Sequence, residues 1–199
     1  MGSGIGKNDA WRQFSQEIGA DFVDLGFWKG NSVQAHIGPW TIHLDIHHVS
    51  TGKSVIEYTR IRAPFVSNVE DFHFEIYRKG VFSGLRKALG MQDIAIGDAV
   101  FDEEFIIKGN NKAHIRELLA DPTVRSMFQS QPKMRLEILN SEGCFGSKFP
   151  NNVHALHFEV LGVIKDQERL KGLFDLFATI LERLVKLGLA SKEDPMLAS

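Results

Sequence analysis

Three side chains that could bind a metal ion or move a proton alternate along one short segment: His43, Asp45 and His47. Alternate residues of a β-strand project from the same side, so these groups would share one face. Two imidazoles and a carboxylate can hold a divalent cation or exchange protons with a substrate. Residues two apart on a strand are separated by about 7 Å, so a metal ion would need a further ligand from a neighbouring strand. The simpler interpretation is the outer polar face of a half-buried strand.

A second group of candidate residues follows the first at the same alternating spacing: Tyr58, Arg60 and Arg62. Guanidinium groups match the geometry of carboxylate and phosphate, so the two arginines could recognise an anion. The alternative is structural, because the same arginines could neutralise Asp45 and Glu75 across neighbouring strands. The sequence favours the structural alternative.

The turn between these two groups sets how their strands should pair. Residues 41–49 alternate between apolar and polar side chains, and residues 50–53 carry turn signals. If those four residues close a simple hairpin, three cross-strand pairs follow. The expected pairs are His47 with Ile56, Asp45 with Tyr58, and His43 with Arg60.

Four predicted strands place a basic and an acidic residue two positions apart on one face. The four pairs are His43 with Asp45, His73 with Glu75, Arg135 with Glu137, and His157 with Glu159. Half-buried antiparallel strands need a polar outer face, so this pattern arises without any function. The functional interpretation is a groove on the polar side of the sheet. Its candidate ligand-binding residues are His43, Asp45, His47, Tyr58, Arg60, Arg62, His73, Glu75, His157 and Glu159.

Other reactive residues give weaker signals. Cys144 could be a reactive thiol, but no helix start or neighbouring histidine is implied, and a structural role is favoured. Asp98, Asp102, Glu103 and Glu104 lack calcium-loop spacing. They could hold a general acid–base pair, but a solvated turn before a strand is favoured. The sequence contains no glycine-rich phosphate loop, nucleophile elbow or zinc-binding helix motif. It therefore assigns no cofactor and no catalytic residue.

The elements that would position these groups begin with a helix capped by Asn8 or Asp9 and ended by Gly19. Four strands of a meander follow from residue 22, then a strand at residues 72–78 and a helix at residues 81–89. Apolar residues of these strands would face a core, with Ile42, Leu44 and Phe74 turned inward.

The second half opens with residues 94–128, which the sequence divides into an extended segment at 101–108 and two helices capped by Asn111 and Asp121. Strands at 134–139 and 153–164 follow, separated by a loose hairpin. Asp166 caps a long final helix with a continuous apolar stripe, and Gly188 ends it.

These elements predict an α+β fold with a mostly antiparallel sheet and helices packed on one face. Residues 1–190 form one globular domain, and residues 191–199 form a flexible tail. A helix, strands and a helix occur in both 8–90 and 94–188, which is compatible with an internal pseudo-duplication. Two copies do not indicate a solenoid array.

Composition limits the class of protein. The chain has 199 residues, a net charge of −2 and a single cysteine. The charge argues against broad binding to nucleic acid, and the cysteine count excludes an intramolecular disulfide. No apolar run approaches the roughly 20 residues of a membrane span. We expect a soluble cytoplasmic protein.

The segment from Phe101 through Gly109, followed by Arg116, Leu119 and Pro122, resembles bacterial domains of unknown function that join such a segment to a helix. The last strand and closing helix are also similar, so the resemblance covers about the second half of the chain. It implies a bacterial origin and buried positions for Phe101, Phe105 and Ile107. The family has no assigned activity, so it implies no catalytic residue.

The function that these patterns favour is a binding or protein-interaction module that uses the polar sheet face or the final helix. An exposed apolar stretch on that helix would favour protein association, which leaves a homodimer open. The alternative is a metal-dependent or acid–base enzyme at His43, Asp45 and His47. The sequence names neither the ligand nor the partner.

Overall fold

The fold is known from a computed structural model that describes residues 6–24, 31–80, 92–139, 149–150 and 152–195. Within these residues the chain is an α+β protein with one antiparallel sheet. The helices are α1 (Lys7–Ile18), α2 (Ala99–Glu104), α3 (Lys112–Leu118), α4 (Pro122–Gln129) and α5 (Gln167–Lys186). The strands are β1 (Asp21–Asp24), β2 (Asn31–Ile37), β3 (Trp40–Ser50), β4 (Val55–Val66), β5 (Phe74–Arg78), β6 (Gln92–Asp93), β7 (Phe105–Gly109), β8 (Arg135–Leu139) and β9 (Val153–Leu161).

The sheet order is β1-β2-β3-β4-β9-β8-β5-β7-β6, and its neighbouring strands pair antiparallel. The first four strands form the expected meander. Strands β8 and β9 then insert between β4 and β5, although they come much later in the chain. Strands from the two expected halves therefore interleave in one sheet, and the pseudo-duplication stays a prediction.

The inner face of the sheet is apolar and packs against the helices, as the alternation predicts. One cross-strand row joins Leu44, Ile61, Phe158, Leu136 and Ile76, all fully buried. Helix α5 buries its apolar stripe in the same core. The buried residues of that stripe are Leu170, Leu173, Phe174, Leu176, Phe177, Ile180, Leu181 and Leu184. Burial of each large side chain contributes about 1.5 to 3 kcal/mol.

The predicted helix ends are mostly confirmed by side-chain caps. Asn111, Asp121 and Asp166 each accept a hydrogen bond from a backbone N–H in the first turn of α3, α4 and α5. Gly188 follows α5 with a φ of 73°, a left-handed conformation that glycine adopts without strain. Helix α1 differs, because it begins at Lys7 after Gly6 rather than at a cap from Asn8 or Asp9.

The expected extended segment at 101–108 is wrong in its first half, where the chain forms α2. Asp98 caps this helix by accepting the backbone N–H of Phe101 at 3.1 Å. Asp102 holds the preceding turn by accepting the N–H groups of Ile96 and Gly97, each at 2.9 Å. The acidic residues thus build a turn and a helix start. The inward positions of Phe101, Phe105 and Ile107 are confirmed.

The predicted hairpin register is also wrong, by two residues. His47 lies opposite Tyr58, Asp45 opposite Arg60, and His43 opposite Arg62. The loop is residues 51–54 rather than 50–53, because the backbone N–H and hydroxyl of Thr51 both bond to the carbonyl oxygen of Ser54. A shift of two residues keeps each side chain on its predicted face.

Several predictions concern residues outside the described ranges: the helix at 81–89, Cys144, and most of the hairpin before residue 153. The start of the expected tail is attached, since the Ser191 N–H donates to the Val66 carbonyl at 2.9 Å. None of the helices in the described ranges has both the length and the apolar character needed to cross a membrane.

Candidate functional site

The face of the sheet opposite the helices, here called the outer face, carries a row of polar residues in register across all nine strands. In sheet order the row is Asp21, Gln34, His43, Arg62, His157, Glu137, Glu75, Lys108 and Asp93. Seven charged or imidazole groups at the centre of this face form what we call the ionic cluster. They are Asp45, Arg60, Arg62, Glu75, Arg135, Glu137 and His157.

Asp45 is the anchor of the cluster on β3. Arg60 binds it with both ends of the guanidinium fork, from Nε to Oδ1 at 2.8 Å and from Nη2 to Oδ2 at 2.9 Å, and Arg62 also contacts Oδ2. Burial acts to raise the pKa of Asp45, but the hydrogen bond from Arg60 and the charges of Arg62 and Arg60 outweigh it, so the pKa is lowered. The predicted neutralisation of Asp45 across strands is confirmed.

Glu75 has a different partner from the one predicted. Its Oε1 atom receives a hydrogen bond from Arg135 Nε at 2.9 Å, and Arg135 also contacts Glu137 Oε2 at 3.2 Å. Glu137 in turn lies 3.2 Å from His157 Nδ1. Arg135 and Glu137 were absent from the predicted binding residues, although their alternation on β8 matches the other three base–acid pairs.

His43 lies opposite Arg62 in the polar row, and its electrostatics are distinct. Burial, followed by the positive charge of Arg62, lowers the pKa of His43 from 6.5 to about 4, although Asp45 acts in the opposite direction. The imidazole is therefore neutral near pH 7.

His47 and Glu159 form a separate pair, here called the dyad, at one margin of the ionic cluster. The distance between His47 Nδ1 and Glu159 Oε1 is 2.5 Å. The His47 side chain is 40% exposed, and its ring lies 6.4 Å from that of Tyr58. Because a carboxylate accepts, Nδ1 carries the proton of this contact, and Nε2 is the ring nitrogen that Glu159 does not contact. His48 is on the other side of the strand, 3.3 Å from Glu57.

His73 does not join the other predicted binding residues. It precedes β5, contacts Asp71 through Nε2 at 2.7 Å, and stacks on His154 with ring centroids 6.2 Å apart. His154 is fully buried beside Phe65, and neither of its ring nitrogens has a hydrogen-bond partner among the described residues. Burial, followed by the charge of His73, lowers the pKa of His154. Alternation with Leu156 and Phe158 was the signal that places this histidine inside.

Most of the ionic cluster is inaccessible to a large partner. The side chains of Arg62 and Glu75 are 5% and 9% exposed. Accessibility rises toward the β3–β4 hairpin and the end of β9, where apolar side chains surround the dyad. This accessible end consists of His47, Val49, Ile56, Tyr58, Glu159 and Leu161, with Leu161 59% exposed.

The metal-binding hypothesis for His43, Asp45 and His47 finds little support in this geometry. Both oxygens of Asp45 are engaged by guanidinium groups, and His47 Nδ1 is engaged by Glu159. Across the described part of the chain, no group of three or more His, Cys, Asp or Glu side chains could hold a metal ion.

Comparison of the chain with protein-family models, with curated proteins and with solved structures finds no match. The resemblance to bacterial domains of unknown function therefore stays a prediction.

Proposed function

We propose that the protein is a binding module that takes a protein partner at the accessible end of the outer face. The observation that carries this proposal is the exposure of Val49 and Leu161 on a strand surface where Tyr58 and the dyad also lie. The centres of protein interfaces are enriched in aromatic and apolar side chains, with polar groups around them. The final helix offers no comparable surface, because its apolar stripe is buried.

The ionic cluster supports the accessible end without taking up the partner itself. Asp45 and Glu75 are paired with arginines of neighbouring strands, Glu137 is paired with Arg135 of its own strand, and these side chains are buried or partly buried. Moving charged groups out of water costs desolvation free energy, and the attraction between paired charges offsets only part of this cost. A buried ionic network therefore contributes more to a defined geometry than to stability. We infer that it holds the strands beneath the accessible end rigid.

The proposal also includes a cytoplasmic location, which the single cysteine supports.

The test is affinity capture from cells with the wild-type chain, Leu161→Asp and Val100→Asp. Val100 is a matched control, because it is also 59% exposed but lies on α2. A charge at the centre of an interface should weaken binding by tenfold or more, whereas a remote charge should not. We expect a partner captured by the wild type and by Val100→Asp to be lost with Leu161→Asp.

A partner retained by Leu161→Asp would contradict the proposed surface. The captured partner must then bind directly as purified protein, measured by calorimetry with the same three chains. If the partner is a second copy of the chain, ultracentrifugation of the wild type will show a dimer that Leu161→Asp dissociates.

The dyad favours one further candidate function, an acid–base enzyme. A carboxylate that holds a histidine through Nδ1 leaves Nε2 basic, and this arrangement orients general bases in many enzymes. The 2.5 Å contact between His47 and Glu159 at a partly exposed position supports this candidate.

A panel of ester, amide and phosphate substrates separates the two candidates. Turnover that disappears in His47→Gln and persists in His48→Gln would favour the enzyme. His48 is the matched control, because the two side chains are 40% and 43% exposed. We expect no turnover, and no thermal shift when divalent ions are added to the metal-free protein.

A further inference from the structure

A second surface, formed by residues that are not part of the outer-face row, contains an open cleft. An open cleft of about 490 Å³ lies between the turn that precedes α2 and the junction of α3 with α4. This volume falls within the roughly 300 to 1,000 Å³ typical of small-molecule sites. Its lining consists of Ile96, Gly97, Asp98, Ala99, Arg116, Leu119, Ala120 and Arg125.

Arg116 is fixed at one wall by a single backbone oxygen. Its Nε and Nη2 atoms donate to the Ala95 carbonyl at 2.9 and 2.8 Å. These bonds orient the planar guanidinium, while its Nη1 group has no hydrogen-bond partner within the described ranges. The group therefore retains two N–H donors for a ligand.

Arg125 also lines the cleft and is fixed in a similar way. Its Nη1 atom donates to the carbonyl oxygens of Leu119 and Ala120 at 2.7 and 2.8 Å, which completes the end of α3. Its Nε atom lies 2.9 Å from Asp98 Oδ2. Its Nη2 group has no partner in the parts of the chain that the structure describes.

The charge of the lining is positive, since it holds two guanidinium groups and one carboxylate. Asp98 is already engaged by Arg125 and by the Phe101 N–H, so it leaves Arg116 uncompensated. Guanidinium groups bind oxyanions through parallel N–H donors, and anchoring beforehand lowers the entropy lost on binding.

We propose that this cleft binds a small anionic molecule whose carboxylate or phosphate group is held by Arg116 and Arg125. The cleft exceeds the size of either group alone, so the ligand is a small metabolite that carries one. Ile96, Leu119 and the methyl groups of the two alanines would contact its remaining carbon skeleton.

The test is a titration of the full chain with inorganic phosphate and, separately, with acetate, followed by amide NMR at constant ionic strength set with chloride. We expect saturable shifts at residues 96–99 and 116–120 with at least one of the two anions. Tighter binding of phosphate identifies a phosphate ligand, and tighter binding of acetate a carboxylate. Shifts that never saturate, or that chloride reproduces, would overturn the proposal.

Two variants and one matched control locate the site. Arg116→Gln should weaken anion binding about tenfold or more, because a charge-assisted hydrogen bond is lost. Lys112→Gln removes the same charge from the exposed side of α3 outside the cleft and should leave affinity unchanged. Ala120→Glu keeps both arginines and adds a negative charge to the wall, so it should abolish binding. Equal affinity in Ala120→Glu and the wild type would sink the proposal even if Arg116→Gln misfolds.

Discussion

The Nδ1 atom of His47 lies 2.5 Å from Oε1 of Glu159, although 112 residues separate the two in sequence. The two residues belong to β3 and β9, which are not neighbours, because β4 lies between them. Adjacent strands are about 4.8 Å apart, so these side chains meet above the intervening strand. The contact thus links two strands that are not neighbours in the sheet.

The dyad predicts one tautomer of His47. Nitrogen-15 NMR of the neutral form of the imidazole should show its proton on Nδ1, because the contact with the Glu159 carboxylate, which can only accept, is made by that nitrogen. Glu159→Ala should shift the ring toward the Nε2–H tautomer, which is the commoner form without such a partner. An unchanged tautomer in that variant would mean that the contact does not orient the ring.

Removal of the Asp45 carboxylate should be strongly destabilising. Asp45→Ala leaves the buried Arg62 and the partly buried Arg60 without their shared anion, and we expect a loss of about 2 to 4 kcal/mol in the free energy of unfolding. Asp45→Asn keeps a hydrogen-bond acceptor and should lose less. Denaturant titration measures both.

Asp21→Ala is the control for that prediction, because Asp21 stands in the same polar row but is 75% exposed. Its contact with His36 is 3.9 Å long, and exposed pairs contribute little. We expect a change of no more than about 0.5 kcal/mol. Similar losses from Asp45→Ala and Asp21→Ala would show that the cluster adds nothing through burial.

The lowered pKa of His43 predicts a dependence of stability on pH. The folded protein protonates His43 only near pH 4, whereas the unfolded chain does so near 6.5. The unfolded state binds more protons between these values, so stability is lost as the pH falls from 6.5 to about 4. His43→Gln should recover roughly 1 to 3 kcal/mol of the loss between pH 7.5 and 4, measured by denaturant titration. Equal losses in both proteins would contradict this assignment.

The space around Gly109, at the end of β7 beside Ile115 of α3, is too small for a larger side chain. A methyl group there would overlap Cδ1 of Ile115 and lie 2.8 Å from the His73 carbonyl oxygen. Gly109→Ala should therefore cost about 1 to 3 kcal/mol in thermal or denaturant unfolding.

Gly172→Ala is the matched comparison, because its methyl group would meet only the amide end of Gln131 at 3.2 Å. That end can shift, and alanine favours the helix by roughly 0.5 to 1 kcal/mol. We expect Gly172→Ala to be neutral or stabilising. A loss of stability in Gly109→Ala no larger than that in Gly172→Ala would show that space in the core does not limit position 109.

The sequence predicted the two faces of the sheet well, because strand alternation is a local property. Ile42 and Leu44 point inward and Asp45 and Arg60 outward, as their spacing indicates. The helix caps at Asn111 and Asp121 were also predictable, since each depends on a few neighbouring residues.

Long-range pairing was beyond such reasoning. The insertion of β9 beside β4 decides that Glu159 meets His47, and no local signal specifies it. The register of the β3–β4 hairpin depends on the hydrogen bonds of Thr51 to the Ser54 carbonyl oxygen, and the turn residues in the sequence do not specify these bonds. His73 follows the strand pattern, yet it lies ahead of β5 and pairs with Asp71.

The central position of β9 bears on how the protein is synthesised. While a ribosome is still adding the residues before Val153, β4 and β8 lack the strand that separates them in the finished sheet. At that stage Arg62 lacks its cross-strand neighbour His157. Thr59 likewise lacks the carbonyl oxygen of Gly162, to which its hydroxyl donates at 2.7 Å in the complete fold. We expect amide protection in β4 to appear late in pulse-labelled nascent chains, after β9 has emerged. Until then, the exposed margins of both strands are surfaces that a chaperone would have to shield.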